Sequence, residues 1–152
     1  MPSRFPYPRR RPVLLEEVVY LDLLRTAEVL SRAVSQLLKT EDLSATQYNV
    51  LRILRGAPGG LPCGEIANRM ITRDPDITRL LDRLEKRALI ARWRQAEDRR
   101  VVLARIMPEG LKLLARLDQP VDQLHRQQLG HLGGERLENL AALLEACRDR
   151  HA

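Results

Sequence analysis

Between residues 74 and 107 the hydrophobic spacing of the chain changes from helical to β-prone, and few folds accommodate that change in so short a stretch. Ile77, Leu80, Leu81, Leu84 and Ala88 recur at intervals of three and four, which places them on one side of a helix. Asp76, Arg79, Asp82, Arg83 and Lys86 then fall on the opposite side. Asp74-Pro75 predicts the start of this helix, with Asp as its cap and Pro at its first position. Beyond Ala88, residues 89–94 and 101–107 are β-prone runs flanking the polar tip Gln95-Ala96-Glu97-Asp98-Arg99-Arg100, the pattern of a β-hairpin. Upstream, the turn Ala57-Pro58-Gly59-Gly60 and the link Leu61-Pro62-Cys63-Gly64 lead into a short helix, Glu65-Ile66-Ala67-Asn68-Arg69-Met70. A short helix, a tight turn and a second, Arg-bearing helix make a helix-turn-helix, and the hairpin supplies a wing. The expected fold is mostly α with a small β-hairpin wing, its lobe spanning residues 40–107.

Helical patterns flank this lobe. In residues 13–39, Leu14, Val18, Leu21, Leu24, Ala27, Leu30, Val34 and Leu37 mark one long amphipathic helix. Ser44 and Gln47 form a capping box ahead of a helix over 45–55, with Val50, Leu51 and Leu54 as its buried stripe. From Pro108 a further helix carries Leu111, Leu114, Leu117, Val121 and Leu124, and Pro120 is expected to kink or break it. Gly133-Gly134 closes that segment, and Leu137, Leu140, Ala141, Leu144 and Cys147 mark a last helix ending near residue 150. Residues 1–12 hold four prolines and four arginines, which predicts a flexible basic arm able to touch DNA or a partner subunit. The apolar stripes of the first and the last two helices exceed what a small winged lobe can cover, so they serve either an intrachain bundle or a subunit interface.

Charge narrows the class of partner. Twenty-six Lys and Arg against twenty Asp and Glu give +6, and only Lys39, Lys86 and Lys112 are lysines. Residues 68–105 alone hold eleven cations against six acids. A localised excess of Arg, whose fork suits phosphates and guanine, is the footprint of a polyanion binder; a solvated face or an Arg-rich codon bias would give the same count. Cys63 and Cys147 are far apart and lack a CxxC or nearby His, which indicates neither a zinc site nor disulfides and points to a reducing cytoplasm. No apolar run approaches the roughly 18 residues of a membrane span, and no signal peptide is evident. His125, His131 and His151 form no HExxH, and Gly59-Gly60 is no phosphate loop, so neither an enzyme nor a cofactor is expected.

The order of elements, with Asp76-Ile77-Thr78-Arg79-Leu80-Leu81-Asp82-Arg83-Leu84-Glu85-Lys86, Leu89-Ile90-Ala91-Arg92, Asp98-Arg99-Arg100 and the downstream Gly110, resembles the MarR (multiple antibiotic resistance regulator) family over about residues 13–150. Two positions depart from that family's pattern. Ala88 stands where a Gly usually ends the recognition helix, so that end is expected to be built differently, and Met107-Pro108 replaces Leu-Thr. The resemblance implies a winged helix-turn-helix regulator, with 13–39 and 108–150 as dimerisation helices. It also implies a ligand-responsive repressor whose effector, a small aromatic molecule, alters the spacing or mobility of the two recognition helices.

On this reading Arg73, Asp76, Thr78, Arg79 and Arg83 face the major groove, where Arg chelates guanine O6 and N7. The alternative leaves Asp82, Arg83 and Lys86 as solvent-exposed intrahelical ion pairs. Arg99 and Arg100 at the hairpin tip suit the narrow minor groove, although a merely soluble turn has the same composition. Asp98 is expected to pair with Arg92 or Arg100 and orient the wing. Tyr20 and Tyr48 are candidates for an effector pocket, or else core tyrosines. Cys63, near the start of a helix, is a thiolate candidate only if exposed, against inert packing. The competing functions are a helical protein-interaction module and an architectural DNA binder without sequence preference.

Overall fold

The computed structural model describes residues 12–149. The arm expected over 1–12 lies outside them except for Pro12, as does the chain from residue 150. The described elements run α1 (Leu15–Lys39), α2 (Ala45–Arg55), β1 (Leu61–Pro62), α3 (Cys63–Arg69), α4 (Ile77–Lys86), β2 (Ile90–Arg94), β3 (Val102–Ile106), α5 (Pro108–Leu129), a 3-10 turn (Gly130–Leu132) and α6 (Gly134–Asp149). The chain divides into two compact units, Met1–Ala33 and Val34–Ala152, and α1 contributes to both.

In the first unit, α1 leaves Leu15, Val19, Tyr20, Leu24 and Val29 exposed, and Glu28 accepts a hydrogen bond from Arg32 one turn later at 2.9 Å. In the second unit the end of α1 joins a single apolar core. Leu38, Leu51, Leu54, Ile66, Leu84 and Leu114 are sealed within it, and no charged or polar residue is buried among those described. The capping box opens α2 as expected. The Gln47 amide N–H donates to Ser44 Oγ at 3.1 Å, and Gln47 Oε1 accepts from the Ser44 N–H at 3.0 Å.

Several features depart from expectation. The wing is part of a three-stranded antiparallel sheet in the order β1-β3-β2, because Leu61 and Pro62 pair with Ala104 and Leu103. Helix α4 is capped by Asp76, whose carboxylate accepts the Arg79 N–H at 3.1 Å, not by Asp74. Asp74 Oδ1 instead accepts the Asp76 N–H at 2.8 Å, an Asx turn that sets Pro75 outside the helix. Helix α5 also runs unbroken through Pro120, held on the core by Leu113, Leu114, Leu117 and Val121 on both sides of it, so packing outweighs the one lost amide donor.

The end of α4 is built as a glycine would build it, without the glycine. Ala88 takes a left-handed φ of 55°, the Leu89 N–H donates to Leu84 O at 3.1 Å, and the Ala88 N–H donates to Glu85 O at 2.9 Å, a Schellman closure. Ala88 therefore lies exposed beyond the helix rather than on its apolar side. A Cβ in that backbone region costs about 1–2 kcal/mol, partly offset by the greater freedom of Gly in the unfolded chain. Ala88→Gly is expected to stabilise the fold by about 0.5–1 kcal/mol, raising Tm by a few degrees in a thermal melt.

The C-cap of α4 is also tied to the bend between α1 and α2. Arg87 Nη1 donates to Asp42 O at 2.7 Å and Nη2 to Glu41 O at 3.0 Å. Asp42 itself has a left-handed φ of 53°. The Glu41 carboxylate meets Arg116 of α5 at 3.0 Å, and that contact holds its carboxyl below the ordinary glutamate range.

Candidate nucleic-acid interface

Helix α4 buries Leu80, Leu81 and Leu84 and leaves Thr78, Arg79, Arg83 and Lys86 in solvent, so its leucines fix the orientation in which its arginines point. The cap on the Arg79 amide settles the backbone of that residue and leaves its guanidinium free. A cleft of about 390 Å³ separates Ser44 and Thr46 at the start of α2 from Asp74, Asp76, Arg79 and Arg83. Arg73 stands exposed in the turn between α3 and α4.

The arginines of the lobe fall into two groups. Arg55 is held by Asp118, Arg69 by Glu65, Arg87 by main-chain carbonyls, Arg92 by Glu85 and Asp82, and Arg94 by Arg99 O at 2.8 Å, while Arg52 and Arg105, though exposed, lie over the rings of Tyr48 and Trp93. Arg73, Arg79, Arg83, Arg99 and Arg100 are exposed, and their side chains make no hydrogen bond or ion pair among the described residues. The sequence nominated these same five for DNA. The intrahelical alternative for Asp82, Arg83 and Lys86 does not form, since Asp82 turns to Arg92.

At the wing tip the Asp98 carboxylate accepts the Arg100 amide N–H at 3.0 Å, and the Val101 N–H donates to Asp98 O at 3.0 Å, which closes the turn. Asp98 thus shapes the loop through backbone, and the guanidinium of Arg100 stays free. Arg92 does not reach Asp98. It lies at the base of the wing, where the Glu85 carboxylate takes both its backbone N–H, at 3.0 Å, and its guanidinium, at 2.7 Å. The Arg92 hydrogen bond holds the Glu85 carboxyl below the ordinary range despite its partial burial, and Glu85 in turn raises Arg92.

Sequence reasoning assigned Glu85 no role. The signal was its place one turn beyond Leu81, at the edge of the leucine stripe of α4, from which a carboxylate reaches the following strand. Ile71 was also missed: it is 88% exposed in the α3–α4 turn, with its amide held by Asn49 Oδ1 at 2.9 Å.

Tyr20 belongs to the first unit and is exposed, whereas Tyr48 joins the core of the second, with the Arg52 guanidinium 5.8 Å from its ring centre. Cys63 is half-buried, and burial pushes its thiol up, against the thiolate that a helix start would favour. Among the described residues, no cluster of His, Cys, Asp or Glu could hold a metal ion, and no helix is long and apolar enough to cross a membrane.

The MarR family model matches residues 43–102, from the start of α2 through the wing. A MarR transcription factor from Planctomyces limnophilus is 43% identical, with 90% of this chain and 99% of that one covered and a TM-score of 0.69. The chain belongs to the MarR family. The HTH-type transcriptional regulator PecS of Dickeya dadantii (strain 3937) is 30% identical over 80% of this chain and 75% of its own length. The PcaV transcriptional regulator of Streptomyces coelicolor, solved in complex with its natural ligand, is 26% identical, with 83% and 91% covered and a TM-score of 0.71. This MarR-family protein is a DNA-binding transcription regulator and not an enzyme.

Proposed function

We propose that the protein is a cytoplasmic, homodimeric repressor that binds an inverted-repeat operator and is released by a small aromatic effector. The observation that carries the reading is the division of arginines described above: those of α4, its preceding turn and the wing tip are unpaired, while their neighbours are engaged within the fold. Arg79 and Arg83 read guanine edges in the major groove with Thr78 beside them, Arg73 contacts the flanking backbone, and Arg99 and Arg100 enter the minor groove. Asp76 serves the interface by capping α4 and so placing Arg79.

One such lobe covers little DNA, and two are needed on half-sites about 34–36 Å apart. The exposed apolar side chains of α1, and Leu140 and Leu143 of α6, supply the surface for pairing. Segments 13–39 and 108–150 are accordingly the dimerisation helices that flank the 40–107 lobe. The effector acts by population shift, binding the geometry that does not fit DNA more tightly than the one that does, and substitution of Tyr20 and of Tyr48, each separately, probes which of them contacts it. PcaV, solved in complex with its natural ligand, supports control by a bound effector.

Selection of bound fragments from random or genomic DNA is expected to return an inverted repeat with half-site centres about 10 base pairs apart. Sedimentation is expected to show twice the 17.4 kDa chain mass. Strong binding at low salt with no recovered sequence would instead establish an architectural DNA binder, and indifference to DNA at low ionic strength an interaction module.

A further inference from the structure

Strand β2 lies at the outer edge of the sheet, so part of its backbone has no strand partner. The Arg92 amide faces that open side and donates to Glu85 Oε1 at 3.0 Å. Glu85 Oε2 receives the same residue's guanidinium, from Nε at 3.2 Å and Nη2 at 2.7 Å, and Nη2 also reaches Asp82. The Arg92 side chain is only 19% exposed, well drawn out of solvent for a cation in this lobe. Two strand positions later, Arg94 crosses the hairpin to the carbonyl of Arg99. Polar contacts therefore run from α4, through the base of the wing, to its tip. Glu85 lies about 200° around α4 from Arg83, two residues at about 100° each, so it faces the wing, while Asp82, from the side that carries Arg79, adds the second carboxylate and leaves the arginines of that side unpaired.

We infer that Glu85 is a positioning residue that clamps the wing to the recognition helix through Arg92, so that the arginines of both reach their grooves at once. The inference rests on the DNA contacts proposed above. Two contact sets on one rigid body behave as linked binding modules, and the second set engages at high effective concentration only if its geometry is held. Without the clamp the wing remains folded on β3, through the pairs from Ile90↔Ile106 to Arg94↔Val102, but its angle to α4 is no longer fixed.

The test is a double-mutant cycle on a selected operator fragment, pairing Glu85→Gln with the double substitution Arg99→Ala and Arg100→Ala. The wing substitutions are expected to weaken binding about 10- to 100-fold in the wild-type background and less than about 3-fold in Glu85→Gln. In footprints, Glu85→Gln is expected to lose minor-groove protection from hydroxyl radicals while guanine N7 protection in the major groove persists. Arg92→Lys, which keeps the charge but not the fork, is expected to behave like Glu85→Gln, and circular dichroism verifies that each variant is folded. Losses that multiply independently, or a folded variant in which both protections vanish together, overturn the clamp. A wild-type protein with no minor-groove protection and no cost of wing substitution overturns the wing reading itself, and the clamp with it.

Discussion

Arg79→Ala is expected to weaken operator binding by about 1–3 kcal/mol, roughly 5- to 150-fold, and to relax base preference at one position of each half-site. The magnitude follows from how little else that guanidinium does. Its residue's amide is fixed by Asp76, its side chain is exposed, and no carboxylate competes for it, so truncation leaves the fold intact and removes a preorganised fork. Fluorescence anisotropy on the selected operator and on single-base variants of it measures both effects. Arg69→Ala is the matched control: its guanidinium is bonded to Glu65 at 2.8 Å within α3, and its loss is expected to change affinity little. Equal losses at every base variant would show that Arg79 contacts phosphate rather than a base edge.

The largest expected effect on stability comes from one hydrogen atom's worth of space. A Cβ built on Gly110 would lie 2.5 Å from Leu89 O and 2.7 Å from Ile106 Cγ1. The carbonyl cannot yield, because it accepts the Met107 N–H at 2.9 Å and so fastens the start of the wing to the start of α5. Gly110→Ala is expected to cost about 2–3 kcal/mol through forced displacement of packed backbone, lowering Tm by roughly 5–10 °C. Urea denaturation of the two proteins side by side measures it; an unchanged midpoint would mean that the helix start can slide. The opposite sign expected for Ala88→Gly, only one residue from Leu89, separates a clash from a question of backbone handedness.

The parts of the fold that could be read in advance are those in which a repeating pattern meets a single physical demand. The leucines of α4, the Ser44–Gln47 box and the β-prone runs of the wing each satisfy a local rule, and each element formed where its pattern lay. Strand β1 escaped notice because two residues, one of them Pro62, carry no alternation; their pairing with β3 depends on where the rest of the chain places them. Asp74 and Asp76 are equally good caps by composition, and only the turn geometry decides between them. For the candidate interface, exposure of Arg73, Arg79, Arg83, Arg99 and Arg100 followed from helical phase and turn composition. The partner of Arg92 did not, since Asp98 and Glu85 are comparably near in sequence and the choice is made by the docking of α4 against β2. Ala88 shows that a left-handed position can be occupied without the residue that marks it, when the hydrogen bonds closing the helix are good enough.

The grip of Arg87 on the bend after α1 has an evolutionary corollary. A guanidinium that reads carbonyl oxygens is blind to which residues own them, so positions 41 and 42 can drift in sequence while the tether endures. What restrains position 42 is tolerance for a left-handed backbone, a demand that Asn or Gly would meet as well as Asp42 does. Covariation between lineages would therefore leave this joint unmarked, and a single replacement at residue 87 would undo it in one step.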